Sequence, residues 1–179
     1  MHFGGIMQYR KADEKDIDAI CRIVEHAIAV MEENGIHQWD ELYPTKEDFL
    51  SDIHSGTLFV GIQDEAIAVL YVLNKNQDEA YFSADWQYTG ENICVIHRLC
   101  VNPKFQNQGI AKSTLSHIEK TLKESGTAAI RLDVFTENPF ALRLYGNAGY
   151  RKTGTADWRK GKFYLMEKVL DAAPESAGA

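Results

Sequence analysis

The segment Ile93 to Val101 constrains this chain most. It is β-branched and apolar, and Asn102-Pro103 closes it, because the residue before a proline is pushed out of the helical region. Beyond Pro103 the pattern changes. Gly109 opens a helical stretch in which Ala111, Leu115, Ile118 and Leu122 share one face, spaced 4, 3 and 4, and Gly126 ends it. Ala129 to Phe135 then reads as another strand. A strand, a helix and a strand in succession form a right-handed crossover, so these two strands are expected to run parallel.

The flanking segments extend the sheet. Met7 to Arg10 reads as a first strand. Asp13 and Asp16 have capping-box spacing, and Ile17, Ile20, Val24, Ile28 and Met31 follow at helical spacing until Gly35. Ile36 to Pro44 reads as a loop rich in aromatic and polar side chains. Thr45 and Asp48 open a second helix carrying Phe49 and Ile53, which Gly56 stops. Thr57 to Ile62 and Ala66 to Leu73 form an expected hairpin about Gln63-Asp64-Glu65. Tyr81 to Trp86 reads as part of a further strand. Asn138-Pro139 starts a helix with Ala141, Leu144, Tyr145 and Ala148 at helical spacing, and Phe163 to Val169 is the last strand. The order predicts an α+β fold, a single sheet with helices on its faces. No linker or repeat divides the chain, so residues 1–179 read as one domain with its core at about 7–169 and a frayed tail at 170–179.

Composition narrows the function. The chain has 179 residues, 45% of them hydrophobic and 25% charged, which is globular rather than disordered. Mean hydropathy is -0.32, and no apolar run approaches the roughly 20 residues that span a bilayer. Met1 to Gly5 lacks the basic and apolar regions of a signal peptide. A net charge of -7 without a basic cluster argues against a general nucleic-acid binder. Cys21, Cys94 and Cys100 are too few and too odd for a disulfide framework, and with the six histidines they show no metal-ligand spacing. The expected compartment is the cytoplasm, and no metal or membrane partner is expected. A homodimer is what base rates for soluble proteins favour, and no residue pattern locates an interface.

The chemistry gathers at the strand-to-helix loop. Free backbone N–H groups at a helix start favour an anion, and Gly109 removes the Cβ that would bar a ligand from the backbone. Ala111 keeps the next turn small. This predicts a phosphate or pyrophosphate cradle, although the loop is neither the GxGxxG nor the GxxxxGK[ST] pattern. Gln106-Asn107-Gln108-Gly109-Ile110-Ala111 resembles the [RQ]xxGx[GA] acetyl-CoA-binding motif of the GNAT acetyltransferase superfamily. Asn138 to Tyr150 is similar to that family's N-x-x-A-x-x-L-Y-x-x-x-G-[FY] stretch. The resemblance covers about Met7 to Lys168.

The resemblance implies a three-layer α/β/α fold: a mixed, mostly antiparallel sheet with a splayed parallel pair and helices on both faces. It implies acetyl-CoA as co-substrate and transfer of an acetyl group to a primary amine in a ternary complex. Main-chain groups of Leu99, Cys100 and Val101 would meet the pantetheine arm. The amides from Gln106 to Ala111 would hold the pyrophosphate, with Lys112 and Ser113 at its edge and Asn138 and Ala141 bordering the arm. Tyr145 matches the family's general acid, a phenol neutral at pH 7 that can protonate the departing thiolate. The strand before the loop carries no carboxylate to act as base. His97 is the candidate in its place, with Glu91 a weaker one, and a buried hydrogen-bonded histidine is the other reading of His97. Trp39, Asp40, Glu41 and Tyr43 fall in the loop that shapes the acceptor pocket in the family, and aromatic walls with carboxylates suit a cationic amine. A hydrophobic lid with solvated charges is the other reading of that loop. A non-catalytic acyl-CoA-binding or regulatory module, and a protein-interaction domain, remain open on the same fold.

Overall fold

The structure is a computed structural model that describes residues 5–170. The expected frayed tail from 171 lies outside the described residues. The chain forms two compact units, one from residues up to Asn74 with His97–Thr114, the other from Lys75–Ile96 and Leu115 onward.

The first unit holds β1 (Gln8–Lys11), α1 (Ile17–Glu33), α2 (Lys46–His54), β2 (Leu58–Gln63) and β3 (Ala66–Asn74). It also takes the second half of β4 (Ile93–Val101) and the first turn of α3 (Ile110–Glu124). Strand β2 pairs antiparallel with β1 and with β3. The start of α1 follows the expected capping box. The Asp13 side chain accepts from the Lys15 N–H at 2.8 Å, and Asp16 accepts from the Asp13 N–H at 2.9 Å across a 3-10 turn at Glu14–Asp16. Arg10 forks onto both oxygens of Asp16 at 2.8 and 2.9 Å, and its hydrogen bond holds that carboxyl below its ordinary range. Helix α1 then buries Ile17, Ile20, Ile23, Val24 and Ala27 against Leu58, Val60, Leu70 and Val72 of the hairpin and Phe49 and Ile53 of α2. Full burial of each large aliphatic side chain contributes about 1.5–3 kcal/mol.

The second unit holds the first half of β4, β5 (Ala129–Phe135), α4 (Pro139–Asn147), β6 (Arg151–Trp158) and β7 (Gly161–Val169), with most of α3. Strands β4 and β5 run parallel, as the crossover requires, and pair only from Ile93↔Ala129 to Val95↔Arg131. Strand β5 pairs antiparallel with β7 along its whole length, and β7 with β6. Among the described residues the order β1-β2-β3-β4-β5-β7-β6 makes a seven-stranded mixed sheet with one parallel pair, which with four α-helices is an α+β fold.

Asn138 caps α4: its Oδ1 accepts from the Ala141 N–H at 3.0 Å, and Pro139 follows at the first helical position. Replacing Asn138 with alanine is expected to cost about 1 kcal/mol, seen as a fall in Tm of roughly 2–4 °C in a calorimetric scan.

Two elements differ from the expectation. Tyr81 is not in a strand. Glu79–Ser83 is a 3-10 turn capped by Asp78, which accepts from the Ala80 N–H at 2.9 Å. The turn drives Tyr81 into the core beside Ile93, Val95, Ala129 and Leu165, and the Tyr81 hydroxyl donates to Asp133 at 2.7 Å. Strand β6 has no counterpart in the sequence reading, because its residues are mostly exposed and lack apolar alternation. Its place is set by β7, and Gly154 leaves room for a turn to approach: a Cβ there would stand 2.9 Å from that of Ala84.

Candidate active site

Asn102 fixes the start of the loop in the first unit. Its N–H donates to the Ala68 carbonyl and its Nδ2 to the Ile67 carbonyl, both at 2.8 Å, while its Oδ1 accepts from the Lys104 N–H at 3.1 Å. After a 3-10 turn at Pro103–Phe105, Gln106, Asn107, Gln108 and Gly109 are exposed. Asn107 (φ 62) and Gly109 (φ 73) both take the left-handed conformation that reverses the chain into α3. Ile110 is buried with Ala68, Val69, Leu99, Val101 and Phe105, and the Tyr9 hydroxyl lies 3.1 Å from that of buried Thr114. The first turn of α3 is therefore anchored beneath an exposed loop.

Among the described residues the amides of that turn have no local partner. The first helical bond runs from the Ser113 N–H to the Gly109 carbonyl at 3.0 Å, so the N–H groups of Ile110, Ala111 and Lys112 precede it. Asp13, Thr45 and Asn138 supply side-chain caps elsewhere, whereas Gly109 has no side chain and the first turn of α3 has no acidic residue. A Cβ at Gly109 would meet nothing within 4 Å, so the space above the turn is open. The arrangement fits a phosphate-bearing group: oriented donors, the positive end of a helix and no competing carboxylate. Lys112 is exposed on the same turn. The Ser113 hydroxyl donates to the Ile110 carbonyl at 3.1 Å, which commits its proton within the helix.

Strand β4 leads into this loop. Leu99 and Val101 pack with Ile110, while Cys100 packs with the α1 cluster, so neighbours on the strand point to opposite sides. Burial pushes the Cys100 thiol up to about 12, so it stays protonated and poorly nucleophilic at neutral pH. His97 is half-buried, with Nε2 2.8 Å from Oδ1 of Asn74.

The sequence reading passed over Arg98 and Asp52. Arg98 has φ 52, a left-handed residue inside a strand, which costs about 1–2 kcal/mol for a side chain of this kind. It pairs with Asp52 of α2, Nη2 to Oδ2 at 3.0 Å, and its Nη1 donates to the Tyr43 hydroxyl at 3.1 Å. The signal was an aspartate among the apolar residues Phe49 and Ile53 of a short helix, where a solvated charge does not belong.

Trp39 does not line an open surface. Its indole is buried in the α1 cluster, because the turn that follows folds the loop back onto the helix. In that turn Asp40 and Tyr43 exchange main-chain bonds at 3.1 and 3.2 Å, and Asp40 Oδ1 accepts from the Leu42 N–H at 3.0 Å. Tyr43 is 41% exposed, and Glu41 and Glu91 are exposed on the surface.

In the second unit, Tyr145 of α4 is buried, its ring edge-to-face with Tyr150 at 5.6 Å. Burial first, and then the charge of Asp133, push its phenol far above the ordinary value, so it is neutral throughout the physiological range. Among the described residues its hydroxyl takes part in no hydrogen bond, and the nearby Asp133 instead accepts from Tyr81. A cleft of about 570 Å³ also opens in this unit, lined by Trp86, Lys75, Glu91 and Arg131 among others. Arg131 is already engaged there by Glu167, Gln77 and the Tyr88 carbonyl, and it stacks on Trp86 at 4.2 Å. Among the described residues no three His, Cys, Asp or Glu side chains come together as a metal site, and no helix is long and apolar enough to cross a membrane.

An exposed helix start after a parallel strand, followed by a buried tyrosine on the next helix, is accompanied by a match of residues 22–150 to the acetyltransferase (GNAT) family. The chain belongs to that family. The acetyltransferase is 26% identical over 161 residues to the uncharacterized N-acetyltransferase YesJ of Bacillus subtilis (strain 168), covering 88% of this chain and 87% of YesJ. Its fold matches that of a GNAT-family acetyltransferase from Streptococcus agalactiae 2603 with a TM-score of 0.82 at 24% identity, over 93% of this chain and 97% of the other. It also matches YncA of Salmonella typhimurium, solved with its cofactor acetyl-CoA, with a TM-score of 0.67 at 19% identity over 96% and 99% of the two chains. Family membership makes the chain an N-acetyltransferase.

Proposed function

We propose that this acetyltransferase moves an acetyl group from acetyl-CoA to a primary amine of a small molecule or peptide, by direct attack within a ternary complex. The observation that carries the reading is the uncapped start of α3, with open space above Gly109 and no acidic side chain in its first turn. Acetyl-CoA supplies the acyl group as an activated thioester. The amides from Gln106 to Ala111 hold its pyrophosphate, with Lys112 beside them and Ser113 at the edge. Main-chain groups of Leu99, Cys100 and Val101 pair with the pantetheine arm, and Asn138 and Ala141 border it. YncA, a protein of the same fold, is solved with its cofactor acetyl-CoA, which supports acetyl-CoA as the co-substrate.

Tyr145, a phenol protonated at neutral pH, gives its proton to the departing sulfur. His97 takes the proton of the attacking ammonium. Nε2 lies 2.8 Å from the Asn74 amide oxygen, a contact that orients the imidazole. The protonated state of Cys100 argues against an acyl-enzyme on that residue and favours direct transfer. Asp40 and Tyr43 line the approach of the amine, one with a carboxylate and the other with an aromatic face.

Thermal unfolding with and without acetyl-CoA tests the reading. At 100 times the dissociation constant, native-state binding adds about 2.7 kcal/mol, a rise in Tm of roughly 5–10 °C for a chain of this size. CoA release from a panel of amines then identifies the acceptor class. No change in Tm at millimolar acetyl-CoA would overturn the proposal.

A further inference from the structure

The left-handed residue in β4 is held from outside the strand. Arg98 is flanked by His97 and Leu99, and the ordered pairing of β4 with β5 has already ended at Val95. Strand β4 also neighbours β3 in the sheet, and what grips the Arg98 side chain is α2 and the loop before it. Nη2 lies 3.0 Å from Asp52 Oδ2 and donates to Oδ1 at 3.3 Å. Nη1 donates to the Tyr43 hydroxyl at 3.1 Å, and the guanidinium stands 5.5 Å from the Tyr43 ring centre. The paired side chains are only 16% and 11% exposed, so water screens them little. Burial pushes the Asp52 carboxyl upward, and Arg98 offsets that shift only in part.

A left-handed residue turns the peptide groups that follow it relative to those before it, as a bulge does. The groups that follow Arg98 are those of Leu99, Cys100 and Val101. We infer that Asp52 and Arg98 are positioning residues for acetyl-CoA: their ion pair clamps β4 in its left-handed turn and so aims the main-chain groups of Leu99 to Val101 at the cofactor. The inference rests on the cofactor reading above and adds the device that sustains it. An unclamped arginine relaxes toward the extended region, and a strand whose side-chain period is two then presents different groups at every later position.

Glycine distinguishes this role from mere packing, because it takes φ near +52 without strain and without a clamp. Acetyl-CoA dissociation constants are measured by calorimetric titration for the wild type, Asp52→Asn, Arg98→Ala, Arg98→Gly and the double variant Asp52→Asn/Arg98→Gly. Asp52→Asn and Arg98→Ala are expected to weaken binding by about tenfold or more, since small displacements of positioned groups carry large costs. Arg98→Gly and the double variant are expected to bind within about twofold of the wild type, because the freed backbone needs no partner. Steady-state rates with a reactive amine should show the loss in KM for acetyl-CoA, with kcat at saturation retained. If Arg98→Ala and Arg98→Gly bind alike, or the double variant stays as weak as Asp52→Asn, the clamp is refuted. Should Asp52→Asn fail to fold, the alanine and glycine variants at Arg98 still decide the matter. A wild type that does not bind acetyl-CoA would instead refute the cofactor reading on which the inference stands.

Discussion

Tyr145→Phe is expected to lower kcat by about 10²–10⁴-fold, the range for loss of a positioned general acid. Its acetyl-CoA dissociation constant should stay within about twofold of the wild type, because a group used only as the thiolate departs contributes nothing to ground-state binding. The structure adds a second expectation. The Tyr145 hydroxyl sits in a buried side chain and takes part in no hydrogen bond among the described residues. A hydroxyl that makes no hydrogen bond within the fold contributes little to stability, so removing it should leave Tm unchanged. A dead enzyme of undiminished stability and unimpaired cofactor affinity is the signature of an acid. The pH profile provides a further check. Because burial and Asp133 raise the pKa of the phenol, the proton is present below that pKa, and alkaline loss of activity from this group should not set in near its ordinary value of 10. Wild-type turnover in the phenylalanine variant, with chemistry rate-limiting, would remove Tyr145 from the mechanism.

Gly109→Asp is expected to weaken acetyl-CoA binding by about 100-fold or more, as a carboxylate is placed at the positive end of a helix where a pyrophosphate must sit. Two effects act together. The φ of 73 is strained for any side chain, and the new side chain enters space that is now open. Gly35→Asp separates them. Gly35 follows α1, has φ 71 and likewise has nothing within 4 Å of where a Cβ would stand. Both variants carry the cost of a side chain on left-handed backbone, about 1 kcal/mol, which the helix dipole lessens at Gly109 and adds to at Gly35. Only the change at Gly109 should touch the dissociation constant. Equal cofactor affinity in the two variants would show that the loop does not hold the pyrophosphate.

Much of this fold is legible in the chain because its signals act over three or four residues. Asp13 with Asp16, Thr45 with Asp48, and Asn138 with Ala141 are caps whose donors and acceptors lie within one helical turn, and each appears where its spacing predicts. The loop from Gln106 to Ala111 is equally local: two left-handed residues, Asn107 and Gly109, and a helix start decide where its amides are. The parallel crossover follows from chain order and the handedness of strands and helices. Other features depend on contacts that no local pattern contains. Arg98 meets Asp52 across 46 positions, and only the packing of α2 brings a carboxylate to that strand. Strand β6 exists because β7 offers it an edge, and Tyr81 lies in a turn because the core takes its ring. The same separation divides the chemistry. That residue 145 is a tyrosine, and so a phenol protonated at neutral pH, is written in the sequence, while the rise of its pKa above the ordinary value comes from tertiary burial and the charge of Asp133 twelve residues away, since desolvation is a property of surroundings and not of a neighbour in the chain.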